Sequence, residues 1–199
     1  MYVKQTNNIL TTIFIAELLL LFLFSPLAMA SERFSRSPGL SEISSPNGRY
    51  LLRNVDIEKD GEFSHQLILR DTKINTEKLV YSYGRYVDAL WSKDSKGMII
   101  NDHGGSDYTN CIIFQFQKEI KMYDVTELLT SQAIMHKKSI VGNHHVYVEG
   151  EQWITNKKIK VRITGYGDVD PDGFSIWYEY AVGDKFKFIT KKSQHSPAP

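Results

Sequence analysis

The chain has 199 residues, a net charge of +1, 42% hydrophobic residues and a single cysteine. So balanced a charge argues against nucleic acid as a partner, because phosphate binding needs a clustered positive field. One thiol excludes an intramolecular disulfide, so the fold has to rest on its apolar core rather than on covalent staples.

At the N-terminus Lys4 precedes an apolar run, Ile9 to Phe24, which Ser25-Pro26 breaks before Ala28-Met29-Ala30 and Ser31. A charged start, an apolar middle and small residues at −3 and −1 predict a secretory signal peptide over residues 1–30, cleaved between Ala30 and Ser31. Ile9 to Ala28 could just span a bilayer, but Glu17 inside it would cost about 2.5–3.5 kcal/mol near the bilayer centre. The uninterrupted core, Leu18 to Phe24, has the length of a signal-peptide core, and no cysteine follows it to carry a lipid. The expectation is an exported protein with no stable membrane anchor after cleavage. What is left, 169 residues, is enough for one domain with a sizeable core.

Residues 31–44, rich in serine and carrying Pro38-Gly39, are expected to be a flexible lead-in. A single β-rich domain is expected over 45–190 and a disordered tail over 191–199. Period-two patterning predicts strands at Tyr50 to Val55, Gln66 to Asp71, Lys78 to Ser82, Val87 to Trp91, Gly97 to Asn101 and Asn110 to Phe116. A second set falls at His144 to Glu149, Lys158 to Thr164, Phe174 to Ala181 and Lys185 to Ile189. The last two flank Val182-Gly183-Asp184, a hairpin connection in which Gly-Asp supplies positive φ at low cost. One helix of about three turns is predicted from Asp124 onward: Asp124 and Glu127 have capping-box spacing, and Val125, Leu128, Leu129 and Gln132 follow at helical intervals. Cys111, between apolar neighbours Ile112 and Ile113, is expected to be a buried, inert thiol.

Ser45-Pro46-Asn47-Gly48-Arg49-Tyr50-Leu51-Leu52 is repeated, 47 residues on, as Ser92-Lys93-Asp94-Ser95-Lys96-Gly97-Met98-Ile99. Each copy is a tight turn entering an apolar strand, and a repeat of this length with four short strands per unit is the mark of propeller blades. These phrases, with Leu90-Trp91 before the second, resemble the WD-like propeller repeats of exported bacterial proteins, such as that of the Tol translocation system. The resemblance covers about residues 42–116. It implies a bacterial chain, periplasmic or secreted. Two blades cannot close a ring of four to eight, and Asp170-Pro171-Asp172-Gly173 echoes the turn out of phase. The expected fold is all-β with one short helix: a partial, propeller-blade-like stack of antiparallel sheets, not a closed propeller.

The most functional-looking segment is the polar, glycine-bearing loop from Asn101 to Asn110. Asp102, His103, Ser106, Asp107 and Tyr108 offer carboxylate, imidazole and hydroxyl groups there, and are the candidate binding residues. A hydrolase built on Asp102, His103 and Ser106 is the alternative. It lacks a Gly-x-Ser-x-Gly nucleophile turn, and neighbours on one loop seldom present nucleophile, base and acid in line. No metal or cofactor is expected. His145 and Glu149 share a strand face but give only two ligands, and Asp168, Asp170 and Asp172 lack the downstream glutamate of a calcium loop. Lys158, Lys160 and Arg162 would share one solvated strand face. Trp177 and Glu179 should share another, with Tyr178 and Tyr180 opposite, so that one side is core and the other a possible aromatic patch for a glycan, peptide or subunit.

No complete catalytic set emerges, so the expectation favours a non-enzymatic binding or envelope-associated module whose partner is a protein or an envelope component. A half-propeller that closes its open edges with a second copy, as a homodimer, is a further alternative.

Overall fold

The strand Gly97–Asp102 is buried at all six positions, so sheet packing has to cover it from both sides. The computed structural model describes residues 35–37, 42–132 and 134–193, all within the compact unit Phe34–Pro199. The expected signal peptide with its Ala30–Ser31 junction, and residues 194–199 of the expected tail, lie outside them. Strands hold 61% of the described residues and helices 8%, which makes the fold all-β.

Three antiparallel meanders follow one another. After β1 (Ser35–Ser37), the first contains β2 (Glu42–Ser44), β3 (Tyr50–Lys59), β4 (Glu62–Asp71) and β5 (Thr76–Tyr83). The second contains β6 (Val87–Trp91), β7 (Gly97–Asp102), β8 (Tyr108–Phe116) and β9 (Ile120–Asp124), with β1 added beside β6. The third contains β10 (His145–Thr155), β11 (Lys158–Tyr166), β12 (Phe174–Ala181) and β13 (Phe186–Ser193). A short parallel contact, Val146 with Tyr108 and Tyr147 with Thr109, joins the second and third. Two of the strands, β1 and β2, come from the stretch read as a lead-in, and the short β9 escapes the period-two signal.

The middle sheet has two aliphatic faces. Met98, Ile100, Ile112 and Phe114 meet Leu52, Leu67 and Leu69 of the first sheet in one core. Ile99, Cys111 and Ile113 meet Val148, Val161, Ile176 and Tyr180 of the third sheet in the other. Cys111 is fully buried, which pushes its thiol well above the usual range. The first sheet is an open, curled half-barrel and the next is flat, so the stack does not close into a propeller.

The 47-residue repeat is reproduced bond for bond. Ser45 Oγ donates to Asn47 Oδ1 (3.0 Å) and accepts from the Tyr50 amide (3.0 Å). Ser92 Oγ donates to Asp94 Oδ1 (2.7 Å) and accepts from the Gly97 amide (2.8 Å). Asn47 and Asp94 each receive the amide two residues on, an Asx turn in both copies. Gly48 (φ +70°) and Ser95 (φ +59°) occupy the same left-handed position. The two turns also meet directly, the Asn47 amide donating to Ser95 Oγ at 3.0 Å. The Asp170–Gly173 turn joins β11 to β12, one connection later in its sheet, which is why it falls out of phase.

The ladder registers make the two sheets comparable residue by residue. Leu51 pairs with Arg70 and Arg53 with Ile68, where Met98 pairs with Phe114 and Ile100 with Ile112. Glu42, Ser44, Arg53, Arg70 and Glu77 thus stand on the outer face of the first sheet where the middle sheet carries Ala89, Trp91, Ile100, Phe114 and Met122. Arg53 pairs with Glu77 at 3.1 Å. Leu51, Ile68 and Leu79 share that face, and the charged residues among them give it the polar character that a terminal repeat needs.

The expected helix begins as predicted, Asp124 accepting the Glu127 amide at 2.9 Å, but α1 (Val125–Ser131) has two turns rather than three. Thr130 and Ser131 bond back to the carbonyls of Glu127 and Leu128, local bonding that competes with helix propagation. A second helix, α2 (Lys137–Val141), follows. Val125, Leu129 and Ile140 from the two helices enter the core between the second and third sheets.

Two outcomes test this packing. A Cβ on Gly150 would lie 2.7 Å from Ile99 Cγ2 and 3.2 Å from Cys111 Sγ, so Gly150→Ala should lower stability by about 1–3 kcal/mol in urea unfolding. A loss below about 0.5 kcal/mol would refute so close an approach of the sheets. Restoring the middle-sheet residues on the end face, Arg53→Ile with Arg70→Phe, should drive self-association in gel filtration. An unshifted elution volume at high concentration would contradict the capping role of these arginines.

Candidate functional site

The candidate loop joins β7 to β8 at one end of the middle sheet. Consecutive strand residues point to opposite faces, and that alone separates Asp102 from His103. Asp102 turns toward the first sheet and accepts the Tyr81 hydroxyl on Oδ2 at 2.7 Å. Its other oxygen, Oδ1, is buried without a hydrogen-bond partner among the described residues. Burial raises the Asp102 carboxyl above the usual carboxylate range, and the Tyr81 hydroxyl and the His103 charge offset this only in part. Tyr81 is itself pushed up by burial and by the carboxylate it bonds.

His103 turns toward the third sheet. Its Nε2 lies 3.0 Å from Asp88 Oδ2 and its Nδ1 3.1 Å from Thr109 Oγ1. The Tyr86 ring stacks on it at 4.4 Å. The imidazole therefore bridges a carboxylate and a hydroxyl, but not those of Asp102 and Ser106. Among the described residues neither of these hydrogen-bonds to His103. The hydroxyl it does reach belongs to Thr109, which is 2% exposed. A nucleophile there would have no path to a substrate. Asp88 and Thr109 carry no sequence signal near His103; register places them, since β6 and β8 flank the end of β7.

The rest of the loop is a surface. Ser106 and Asp107 are exposed. The Tyr108 ring, 43% exposed, lies over Gly104 and Gly105. A Cβ on Gly105 would sit 2.5 Å from the ring, and one on Gly104 2.7 Å from the phenol oxygen. Both glycines leave room for that ring to lie where it does. The tip is tied to the third sheet, with the Tyr147 hydroxyl donating to the Ser106 carbonyl (2.8 Å) and the Val146 amide to the Asp107 carbonyl (3.0 Å). The five candidates thus divide into a buried Asp102, a half-buried His103, and three exposed tip residues.

Other candidates disperse. His145 stacks on Tyr166 at 4.2 Å, while Glu149 receives Arg162 at 2.6 Å. Among the described residues no three histidine, cysteine or acidic side chains gather as metal ligands. Asp170 is committed to a fixed node. It accepts Lys191 Nζ (3.0 Å) and the Asn143 amide (3.0 Å), and Lys191 also donates to Ser139 Oγ (2.9 Å). Burial alone would raise the Asp170 carboxyl, but these bonds outweigh it and hold it below the usual range. Ser139, 5% exposed, is walled off like Thr109, so the serine–lysine pair ties α2 to β13 rather than reacting.

A groove of about 580 Å³, not foreseen from sequence, runs between the first two sheets at their other end. Tyr50, Leu69 and Phe116 floor it and Arg49 stands at its rim. That guanidinium is spent on Asp71, through Nε at 3.1 Å and Nη2 at 2.8 Å.

Asp102 provides a signed test. Native Asp102 holds its proton to higher pH than the unfolded chain, so ionising it costs stability as pH rises through the native value, a cost absent below the unfolded value. Asp102→Asn cannot ionise and keeps an acceptor for Tyr81. The variant should gain on the wild type in urea unfolding as pH rises above about 4, the unfolded carboxyl's value. A difference that stays flat with pH, or falls, would show that the buried carboxylate carries no such penalty.

No protein-family model, curated protein or solved structure matches this chain, so its function has to be read from the geometry above.

Proposed function

We propose that the chain is an exported, non-catalytic binding module of a bacterial envelope, engaging a protein or envelope component through the loop tip Ser106–Tyr108. The observation that carries this is the Asp88–His103–Thr109 relay: the hydroxyl that meets the imidazole, that of Thr109, is buried. Polar groups that would serve a reaction instead support an exposed tip. Loops held by a rigid scaffold are where binding residues concentrate, and the Tyr108 phenol, apolar at its base and polar at its end, suits a protein contact. Export rests on the residues around the Ala30–Ser31 junction. Among the described residues no helix is long and apolar enough to cross a membrane.

Closure of a half-ring by a second copy fits less well, because Arg53, Arg70 and Glu77 interrupt the aliphatics Leu51, Ile68 and Leu79 on the outer face of the first sheet.

The test is a comparative capture from envelope extract, with the tagged protein as bait. A component retained by the wild type should be lost with Asp107→Ala plus Tyr108→Ala and kept with His103→Gln. Mass spectrometry of the exported protein should begin at Ser31. Hydrolysis of a simple aryl ester by the wild type, abolished in His103→Gln, would overturn the non-catalytic reading.

A further inference from the structure

The two outward faces of the stack differ in one respect. Both carry ion pairs, as end faces should, but the outer face of the third sheet also holds a tryptophan at its centre. Trp177 on β12 lies directly across from Arg162 on β11 and Thr190 on β13. Its diagonal neighbours are Lys160 and Lys192, whose ammonium groups both stand 5.8 Å from the ring centroid. Tyr178 and Tyr180 point the other way, into the core.

Charge on this face is uneven. Glu149 and Glu151 hold Arg162 at 2.6 and 3.3 Å, Glu151 also holds Lys160 at 2.9 Å, and Glu179 holds Lys158 at 2.7 Å. Three carboxylates are thus consumed by three cations. Lys187 stands across from Glu179, which Lys158 already holds, and among the described residues no carboxylate lies within ion-pair distance of Lys192, so five cations face three carboxylates and the excess lies along β13.

We propose that this face binds an anionic polysaccharide. The indole, whose ring face is electron-rich, receives the C–H face of a sugar ring, and Lys187 and Lys192 receive the carboxylates of neighbouring sugars. The flexible ammonium stems can leave the indole for a stronger anion. An open sheet face suits an extended chain, because small molecules are held in concave sites. An excess of only two positive charges is small for nucleic acid. A membrane surface would call for a broader apolar patch than one indole. This surface is separate from the loop tip, so either can fail without the other.

The experiment is a titration of the purified protein with polygalacturonate, read by tryptophan emission. Trp91 and Trp153 are 7% and 6% exposed, so a change reports Trp177. Neutral dextran, phosphatidylglycerol vesicles and duplex DNA are titrated in parallel. Polygalacturonate should give a saturable shift that salt weakens, and dextran none. In affinity electrophoresis, Lys187→Glu with Lys192→Glu, and separately Trp177→Ala, should weaken binding at least about tenfold, roughly 1.4 kcal/mol. Trp177→Phe, which keeps a ring, should retain most of it. Arg53→Glu, on the opposite end face, should bind like the wild type. Absence of polygalacturonate binding, equal binding by the Lys187/Lys192 variant, or preference for vesicles or DNA would each overturn the proposal.

Discussion

Burying the middle sheet on both faces is the constraint on which the rest of this fold depends. β7 has no exposed position, so its sequence has to be apolar on every residue except where a polar group finds a fixed partner. Each polar group it does carry is a peg into a neighbouring sheet. Asn101 exchanges two hydrogen bonds with the Gly150 backbone, at 2.9 and 3.3 Å, which matches an amide to a peptide group and satisfies both. Asp102 performs the same office toward Tyr81, with one oxygen left over. Trp153 completes the set by donating its indole N–H to the Leu90 carbonyl at 3.2 Å. Aliphatic contact holds sheets together without fixing their register, whereas these directional bonds allow only one alignment.

The same constraint dictates how the stack ends. A sheet with two aliphatic faces must recruit a neighbour on each, so a repeat that copied the middle sheet faithfully would never terminate. Repetition is kept where it builds the turn, with Ser45 matched by Ser92 and Asn47 by Asp94, and abandoned where it would build another interface. Arg53 and Arg70 replace Ile100 and Phe114 at positions that the ladder proves equivalent. The third sheet reaches the same result with a lattice of ion pairs over β10, β11 and β12.

Much of this was legible in the sequence, for identifiable reasons. Val87–Trp91 and Phe174–Ala181 are bounded by turns and strongly patterned, and the expected limits coincide with the observed ones. The repeat was visible because Asx-turn chemistry needs particular side chains at particular spacings. β1 and β2 were invisible because three residues carry no period, and they exist only through their pairing with β6 and β3. α1 stopped early because Thr130 and Ser131 weigh little in an apolar pattern yet bond to the helix's own carbonyls. At the candidate loop the residue types were found but not their grouping. Asp88 lies 15 residues before His103, and only the β6–β7 register brings them together.

That grouping explains why a loop rich in reactive side chains assembles no triad. A catalytic triad needs three side chains converging on one accessible point. In this loop the strand alternation sends Asp102 and His103 to opposite faces of the middle sheet, where Tyr81 bonds one Asp102 oxygen and Asp88 and Thr109 hold the imidazole. What reaches solvent is Ser106, Asp107 and the Tyr108 ring, whose position the two glycines and the Tyr147 hydroxyl determine. The strands flanking β7 thus take up Asp102 and His103 as structure, and leave Ser106, Asp107 and Tyr108 at the surface.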